Sequence, residues 1–252
     1  MLKKGFRMLR KGACLTAALT ALAALSPAPG AAHDSRARVV SVPAFVAPPG
    51  DPARNDFMRK VHDAQVRRAI ERGREFFPGL PEDRLGAVEA EYKMRRDAAG
   101  QCRLLLNEAR AELKRQQQAG VREALEVSDI GVYTAYRSFE HDRAAWLNTF
   151  EKLFKATKNQ RAGLEGGEYG DRAVELMVGV MRKFKAAPGF SRHTSGVAVD
   201  FKTTEGNVTL GANSNQNGMW KKSWLHKWLV KNADRFKFRP LATEAWHWDY
   251  AG

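Results

Sequence analysis

The stretch Ser191-Arg192-His193-Thr194-Ser195-Gly196-Val197-Ala198-Val199-Asp200-Phe201 decides how the chain is read, together with Glu244-Ala245-Trp246-His247-Trp248-Asp249-Tyr250. In the first, a β-forming run ends on a carboxylate. Burying a lone aspartate is expensive, and a metal ion is its natural partner. Gly196 permits a tight turn before the run, so His193 can fold back towards Asp200. In the second, His247 lies in a strand candidate between two tryptophans. Two imidazoles and one carboxylate leave the fourth position of a tetrahedral zinc site open, which is the catalytic arrangement rather than the structural one. Glu244, three residues before a candidate ligand, suits a general base. In a regular strand, however, residues at an odd offset point to opposite faces. The reading therefore requires the chain to bend at Glu244, after Pro240. Composition and spacing leave two readings open: a zinc centre, and a set of separately satisfied polar groups.

Around these motifs the pattern predicts a strand over 130–136, a helix over 139–156 capped by Ser138, a helix over 171–186, a strand over 197–202, a polar loop over 203–218, a short helix over 223–232 and a last strand near 246–250. Few strands separated by helices and long loops predict an α+β domain with a small antiparallel sheet flanked by helices. Upstream, the spacing predicts helices from about Asn55 to Phe77 and from about Glu82 to Gln118, separated by Pro78-Gly79-Leu80-Pro81. Apolar residues of the second fall on a seven-residue repeat (Leu85, Tyr92, Ala99, Leu106 and Leu113, with Val88, Cys102 and Ala109). This is a coiled-coil-like seam, interrupted by Gly100. It suits a helical hairpin packed on its own domain, or an arm for a protein partner or self-association. His141 and His226 read as ordinary, His226 on a helix surface.

The composition is that of a globular protein, with 44% hydrophobic and 28% charged residues in 252. Net charge is +14, of which five positive charges lie in residues 1–32 with no acid, leaving +9. So basic a chain favours polyanions. The basic start, an apolar run from Ala13 to Leu25 and the small residues up to Ala32 have the layout of a secretory signal peptide. The run is shorter than the roughly 20 residues a membrane span needs. The expected organisation is a signal peptide over 1–32, a Pro-rich linker over 33–53, a helical region over 54–127 and a catalytic domain over 128–252. Export to the periplasm or cell envelope excludes a cytosolic nucleic-acid role and leaves envelope polymers and membrane surfaces as polyanions. Removing the leader leaves Cys102 as the one cysteine, which excludes an intramolecular disulfide and makes cysteine-based zinc sites untenable.

The combination Ser191-x-His193-x-x-Gly196-x-Ala198-x-Asp200 with Glu244-x-Trp246-His247 resembles the paired motifs of the VanY-type D-alanyl-D-alanine carboxypeptidases, within the wider lysostaphin, D-Ala-D-Ala peptidase and hedgehog-like group. A third family element is matched by Tyr136-Arg137-Ser138, and the three occur in family order over roughly 128–252. The resemblance implies a hedgehog/D-Ala-D-Ala peptidase-like fold preceded by the helical hairpin region. It implies one Zn2+ held by His193, Asp200 and His247, and Glu244 as catalytic base. It also implies Arg137 pairing with a substrate carboxylate or the developing oxyanion, and Ser191 helping to orient the substrate. Family members often carry Gln five residues after the arginine, where this chain has Asp142. The implied substrate is the peptidoglycan stem peptide, cut at or near D-alanine. An endopeptidase acting within the stem or cross-link is one alternative. A zinc-containing, non-catalytic binding module is another, against which the presence of both Glu244 and Arg137 argues.

Overall fold

A computed structural model describes residues 41–252. The expected signal peptide and the first part of the linker lie outside the described residues. Residues 41–51 carry no helix or strand, yet they are fastened to the fold. Phe45 stacks on His62 with ring centroids 4.6 Å apart, and Asn55 Nδ2 donates to the Pro48 carbonyl at 2.9 Å.

Helix α1 (Pro52–Glu71) starts where Asp51 accepts from the Ala53 amide and Pro52 occupies the first turn. It stops before Gly73, whose φ of +68° ends the helix, rather than running to Phe77 as the apolar spacing predicts. The elements that follow are β1 (Leu85–Glu89), β2 (Tyr92–Arg95), α2 (Arg96–Gln118), α3 (Arg122–Leu125), β3 (Val127–Thr134), α4 (Phe139–Ala156), α5 (Lys158–Ala162) and α6 (Asp171–Met181). After these come β4 (Ala198–Glu205), β5 (Val208–Leu210), α7 (Asn217–Trp220), α8 (Trp224–Asn232), β6 (Phe238–Leu241) and β7 (Glu244–Tyr250).

The first part of the expected helix over 82–118 is thus a hairpin. Residues 85–95 form two antiparallel strands, and the helix begins only at Arg96. The seven-residue row runs through both because Leu85 and Val88, buried in β1, and Tyr92, partly buried in β2, fall on the helical repeat. Nor do α1 and α2 form a helical hairpin: they serve different cores. Ala99, Cys102, Leu106, Ala109 and Leu113 of α2 pack with the sheet and α8 in one cluster. Phe57, Met58 and Val61 of α1 pack with Trp146 and Phe150 of α4 and Met177 and Val178 of α6 in another. Two uses are open to the row, packing on its own domain or docking a partner, and its α2 part is buried within this chain's own core. The boundary expected near 127/128 falls inside the first cluster, which also holds Val132 and Val199.

The main sheet runs β3-β4-β7-β6, with β5 paired to β4, and every pairing is antiparallel. It is the expected small antiparallel sheet flanked by helices, in an α+β fold. Strands β5 and β6 arise in segments too short and polar to show alternation.

Candidate active site

Strands β4 and β7 are neighbours, and their register pairs Asp200 directly with His247. Directly paired residues of an antiparallel ladder project from the same face with Cβ atoms about 4.5–5.5 Å apart. His193 arrives from the turn before β4. That turn needs glycine at 196, where φ is +72° and an added Cβ would stand 2.8 Å from the Arg95 amide nitrogen. The Gly196 amide donates to the His193 carbonyl at 3.1 Å, closing the turn.

The three donor atoms converge. His247 Nδ1 lies 2.9 Å from Asp200 Oδ1, His193 Nε2 lies 3.2 Å from His247 Nδ1, and His193 Nε2 lies 3.4 Å from Asp200 Oδ1. Ligand bonds of 2.0–2.1 Å in a tetrahedral zinc site imply donor–donor edges of about 3.3 Å, so the residues fit that ion. Their outer nitrogens are held as metal-binding histidines require. His193 Nδ1 is 2.7 Å from the Ala135 carbonyl, and His247 Nε2 is 3.1 Å from Asp249 Oδ1, which itself pairs with Arg192 at 3.2 Å. Each histidine thereby keeps the inward nitrogen free for a metal.

Electrostatics agree. Burial depresses His193 below its ordinary value. For Asp200 burial acts upward, but the two imidazoles outweigh it and hold the carboxyl well below the usual range. For His247 burial acts downward, and the hydrogen bonds to Asp200 and Asp249 outweigh it, raising the imidazole to about 9. A metal at this point competes with that proton.

The bend required at Glu244 is present. On β6, Leu241 pairs with Glu244 while the adjacent Pro240 pairs with Trp248, so Ala245, Trp246 and His247 bulge out of the β6–β7 ladder. Bulges of this kind re-aim side chains next to active sites. The displaced backbone is satisfied elsewhere: Ala245 N–H donates to Asn217 Oδ1 at 2.9 Å, and its carbonyl lies 3.1 Å from His226 Nδ1. Glu244 therefore lines the same groove as His193, Asp200 and His247. Burial raises its carboxyl above the ordinary value, which moves it towards the range suited to a base at neutral pH.

Arg137 and Ser191 line this groove as well. Arg137 Nη2 donates to Ser191 Oγ at 3.3 Å, and Ser191 Oγ also accepts the His193 amide at 3.3 Å. Ser191 thus ties the arginine to the turn that carries His193. Arg137 Nε is buried without a hydrogen-bond partner and 4.0 Å from Asp142 Oδ1. A buried donor without a partner calls for an explanation, and Arg137 lines the groove that a ligand carboxylate would enter. Asp142 is buried and accepts the Gly189 amide at 3.3 Å.

Several supporting groups escaped the sequence reading. Asp249 could have been found, because a residue two places from His247 in a strand shares its face. Asn217 and His226 carry no such signal, and His226, expected on a helix surface, is half-buried against the bulge. The β1–β2 hairpin braces both site loops: the Lys93 carbonyl accepts the Tyr136 amide at 2.8 Å, and the Arg95 amide donates to the Gly196 carbonyl at 2.8 Å. Cys102 is fully buried in the core, where burial pushes its thiol up and leaves it inert.

Two imidazoles, a carboxylate and a flanking glutamate in an open groove define a metal-dependent hydrolase. The family model described as VanY, D-alanyl-D-alanine carboxypeptidase, matches residues 102–252, and the chain belongs to that family. The match begins within α2, further upstream than the motifs alone indicate. Similar solved structures include the D,D-pentapeptidase VanY of a VanB-type vancomycin-resistance cassette in complex with Zn(II), at 20% identity and TM-score 0.42, covering 69% of this chain and 83% of that one. VanYB in complex with D-alanine-D-alanine is 19% identical with TM-score 0.43, covering 69% and 82%. The LD-carboxypeptidase LdcB is 17% identical with TM-score 0.41, covering 69% and 72%. A comparison with curated protein sequences finds no match.

Proposed function

We propose that the protein is an exported zinc-dependent D,D-carboxypeptidase that removes a terminal D-alanine from peptidoglycan stem peptides. The observation that carries this reading is the triangle of His193, Asp200 and His247 donor atoms, with edges of 2.9–3.4 Å, in one groove with Glu244 and Arg137. His193, Asp200 and His247 would hold the ion, which supplies Lewis acidity and can lower the pKa of water from 15.7 to about 7. Glu244 takes the proton of the attacking water on a carboxylate oxygen and returns it to the leaving amine nitrogen. Arg137 offers its planar fork to the free carboxylate of the terminal residue, and Ser191 orients that fork. Family membership supports the substrate class. The basic leader with its apolar run supports export, and no helix among the described residues is long and apolar enough to cross a membrane.

Mass analysis of defined muropeptides after incubation with the purified protein tests the proposal. Loss of a single terminal D-alanine, abolished by a chelator and restored by zinc, is expected. Cleavage of cross-linked dimers alone would establish an endopeptidase instead. Bound zinc with no cleavage of any muropeptide would favour the binding module.

A further inference from the structure

We infer that the groove contains a second, cationic subsite that binds carboxylates of the substrate other than the terminal one. The inference rests on the peptidase reading above and goes beyond its metal centre and terminal-carboxylate clamp.

The groove has a volume of about 1220 Å³, above the range of roughly 300–1,000 Å³ typical of small-ligand pockets. It is larger than a dipeptide end needs. Away from the metal ligands it is lined by Arg68, Arg72 and Arg74 from the end of α1 and the turn after it, Lys152 from α4, and Arg182 and Lys183 after α6. All six are exposed. Among the described residues, none of the six side chains makes a hydrogen bond or comes within ion-pairing distance of a carboxylate. Cations elsewhere on the same helices do find partners, as Arg54 does with Glu151 and Arg172 with Glu175. One carboxylate, Glu75, lines this stretch. Like charges gathered on one wall repel, and their field draws anions into the cleft.

The wall is fixed relative to the catalytic centre. Gln65 of α1 accepts from Trp146 Nε1 at 2.7 Å and donates to the Lys185 carbonyl at 3.2 Å. The Phe77 amide donates to the Gly189 carbonyl at 2.8 Å, and the Phe76 ring lies so close to Gly189 that a Cβ there would be 2.3 Å from it. From Gly189 the chain runs within four residues to Ser191 and His193. The end of α1 is therefore clasped to the segment that delivers two site residues. A substrate held at Arg137 lies in the same groove as this basic wall. Guanidinium forks match carboxylates. Because the wall shares its groove with the metal centre, carboxylates of the substrate itself are the favoured ligand over a separate phosphate polymer.

The test uses the full chain and a triple variant, Arg68→Gln/Arg72→Gln/Arg182→Gln, none of which belongs to the catalytic machinery. Three exposed charge pairs contribute modestly each, so KM for a stem peptide with free side-chain carboxylates should rise about tenfold in the variant, with kcat little changed. KM for the amidated peptide, and for a short acyl-D-Ala-D-Ala, should stay the same. Equal KM values for free and amidated peptides in both proteins would overturn the inference. So would a variant whose peptide KM is unchanged while its binding to poly(glycerol phosphate) is lost. Fluorescence anisotropy with a labelled peptide reads the subsite without turnover. Absence of hydrolysis would then count against the peptidase reading alone, an arginine-dependent Kd would still support the subsite, and an unchanged Kd would overturn it.

Discussion

Asp200 and His247 sit opposite each other on adjacent antiparallel strands, with Asp200 Oδ1 2.9 Å from His247 Nδ1. The metal centre is therefore a property of sheet register. A slip of one residue would turn one of the two side chains to the other face. The aromatic and aliphatic residues of β4 and β7 that fill the core are what hold the register.

Asp249 orients His247 without reaching the donor triangle. Outer-shell partners of this kind typically contribute about 10- to 100-fold in metal affinity or activity. Asp249→Ala is expected to weaken zinc binding within that range while leaving the fold intact. Competition with a calibrated chelator measures it, alongside circular dichroism. Unchanged affinity would remove Asp249 from the metal's support.

Glu244 is assigned to proton transfer and not to metal binding. Replacing it with glutamine should lower kcat by about 10²- to 10⁴-fold, with zinc remaining near one ion per chain by elemental analysis. A fully active Glu244→Gln protein would disprove the assigned base, and loss of zinc would make Glu244 a ligand.

What could be read in the sequence, and what could not, divides along physical lines. That His193, Asp200, His247, Glu244 and Arg137 share one groove is legible because chemistry-bearing residues stand in short motifs with fixed order. The need for a bend at Glu244 was legible too, from the odd offset alone. The bulge that supplies it was not, since its support comes from Asn217 and His226, distant in sequence and recognisable only once α7, α8 and β7 are assembled. The β1–β2 hairpin reads as helix because a bulge in β1 leaves Leu85 and Val88 both buried three residues apart, which is a helical spacing. The destination of the α2 row was illegible for a related reason: a seam states that a face is buried, not against what.

Asn217 offers a test of the bulge. Asn217→Ala removes the acceptor of the Ala245 amide, leaving a partly buried donor unpaired at a cost of about 1–3 kcal/mol. Displacement of a catalytic group by about 1 Å can cost roughly 10²-fold in rate. The variant should therefore lose kcat/KM well beyond its loss of stability, while zinc content is retained. Proportionate losses in activity and folded fraction would reduce Asn217 to a structural role.

The helical core makes stability depend on pH through His62. Burial holds this imidazole below its ordinary value of 6.5, and it packs between Phe45 and Trp146. A group whose folded pKa is depressed binds its proton more readily when unfolded. Stability is accordingly complete above pH 6.5 and falls as pH drops below it, with a limiting slope of about 1.4 kcal/mol per pH unit. Denaturant titrations at several pH values should show stability declining below pH 6.5 in the native protein and declining less steeply in His62→Phe. Identical slopes would place the acid sensitivity elsewhere.

Gly196 is where the backbone itself limits the site. At φ +72° a side chain is strained, and the position of a Cβ is contested by the Arg95 amide nitrogen at 2.8 Å and Leu80 Cδ1 at 2.7 Å. Left-handed strain costs about 1–3 kcal/mol, and relief requires moving either the hairpin that braces the turn or the turn that carries His193. Gly196→Ala should therefore lower both thermal stability and zinc affinity. Gly167 provides the control, since its φ is likewise positive, at +71°, but an added Cβ there would meet nothing within 4 Å. Gly167→Ala should lower stability by strain alone and leave zinc affinity unchanged, as measured by chelator competition. Equal zinc affinities in the two variants would show that the turn at 196 can relax without displacing His193.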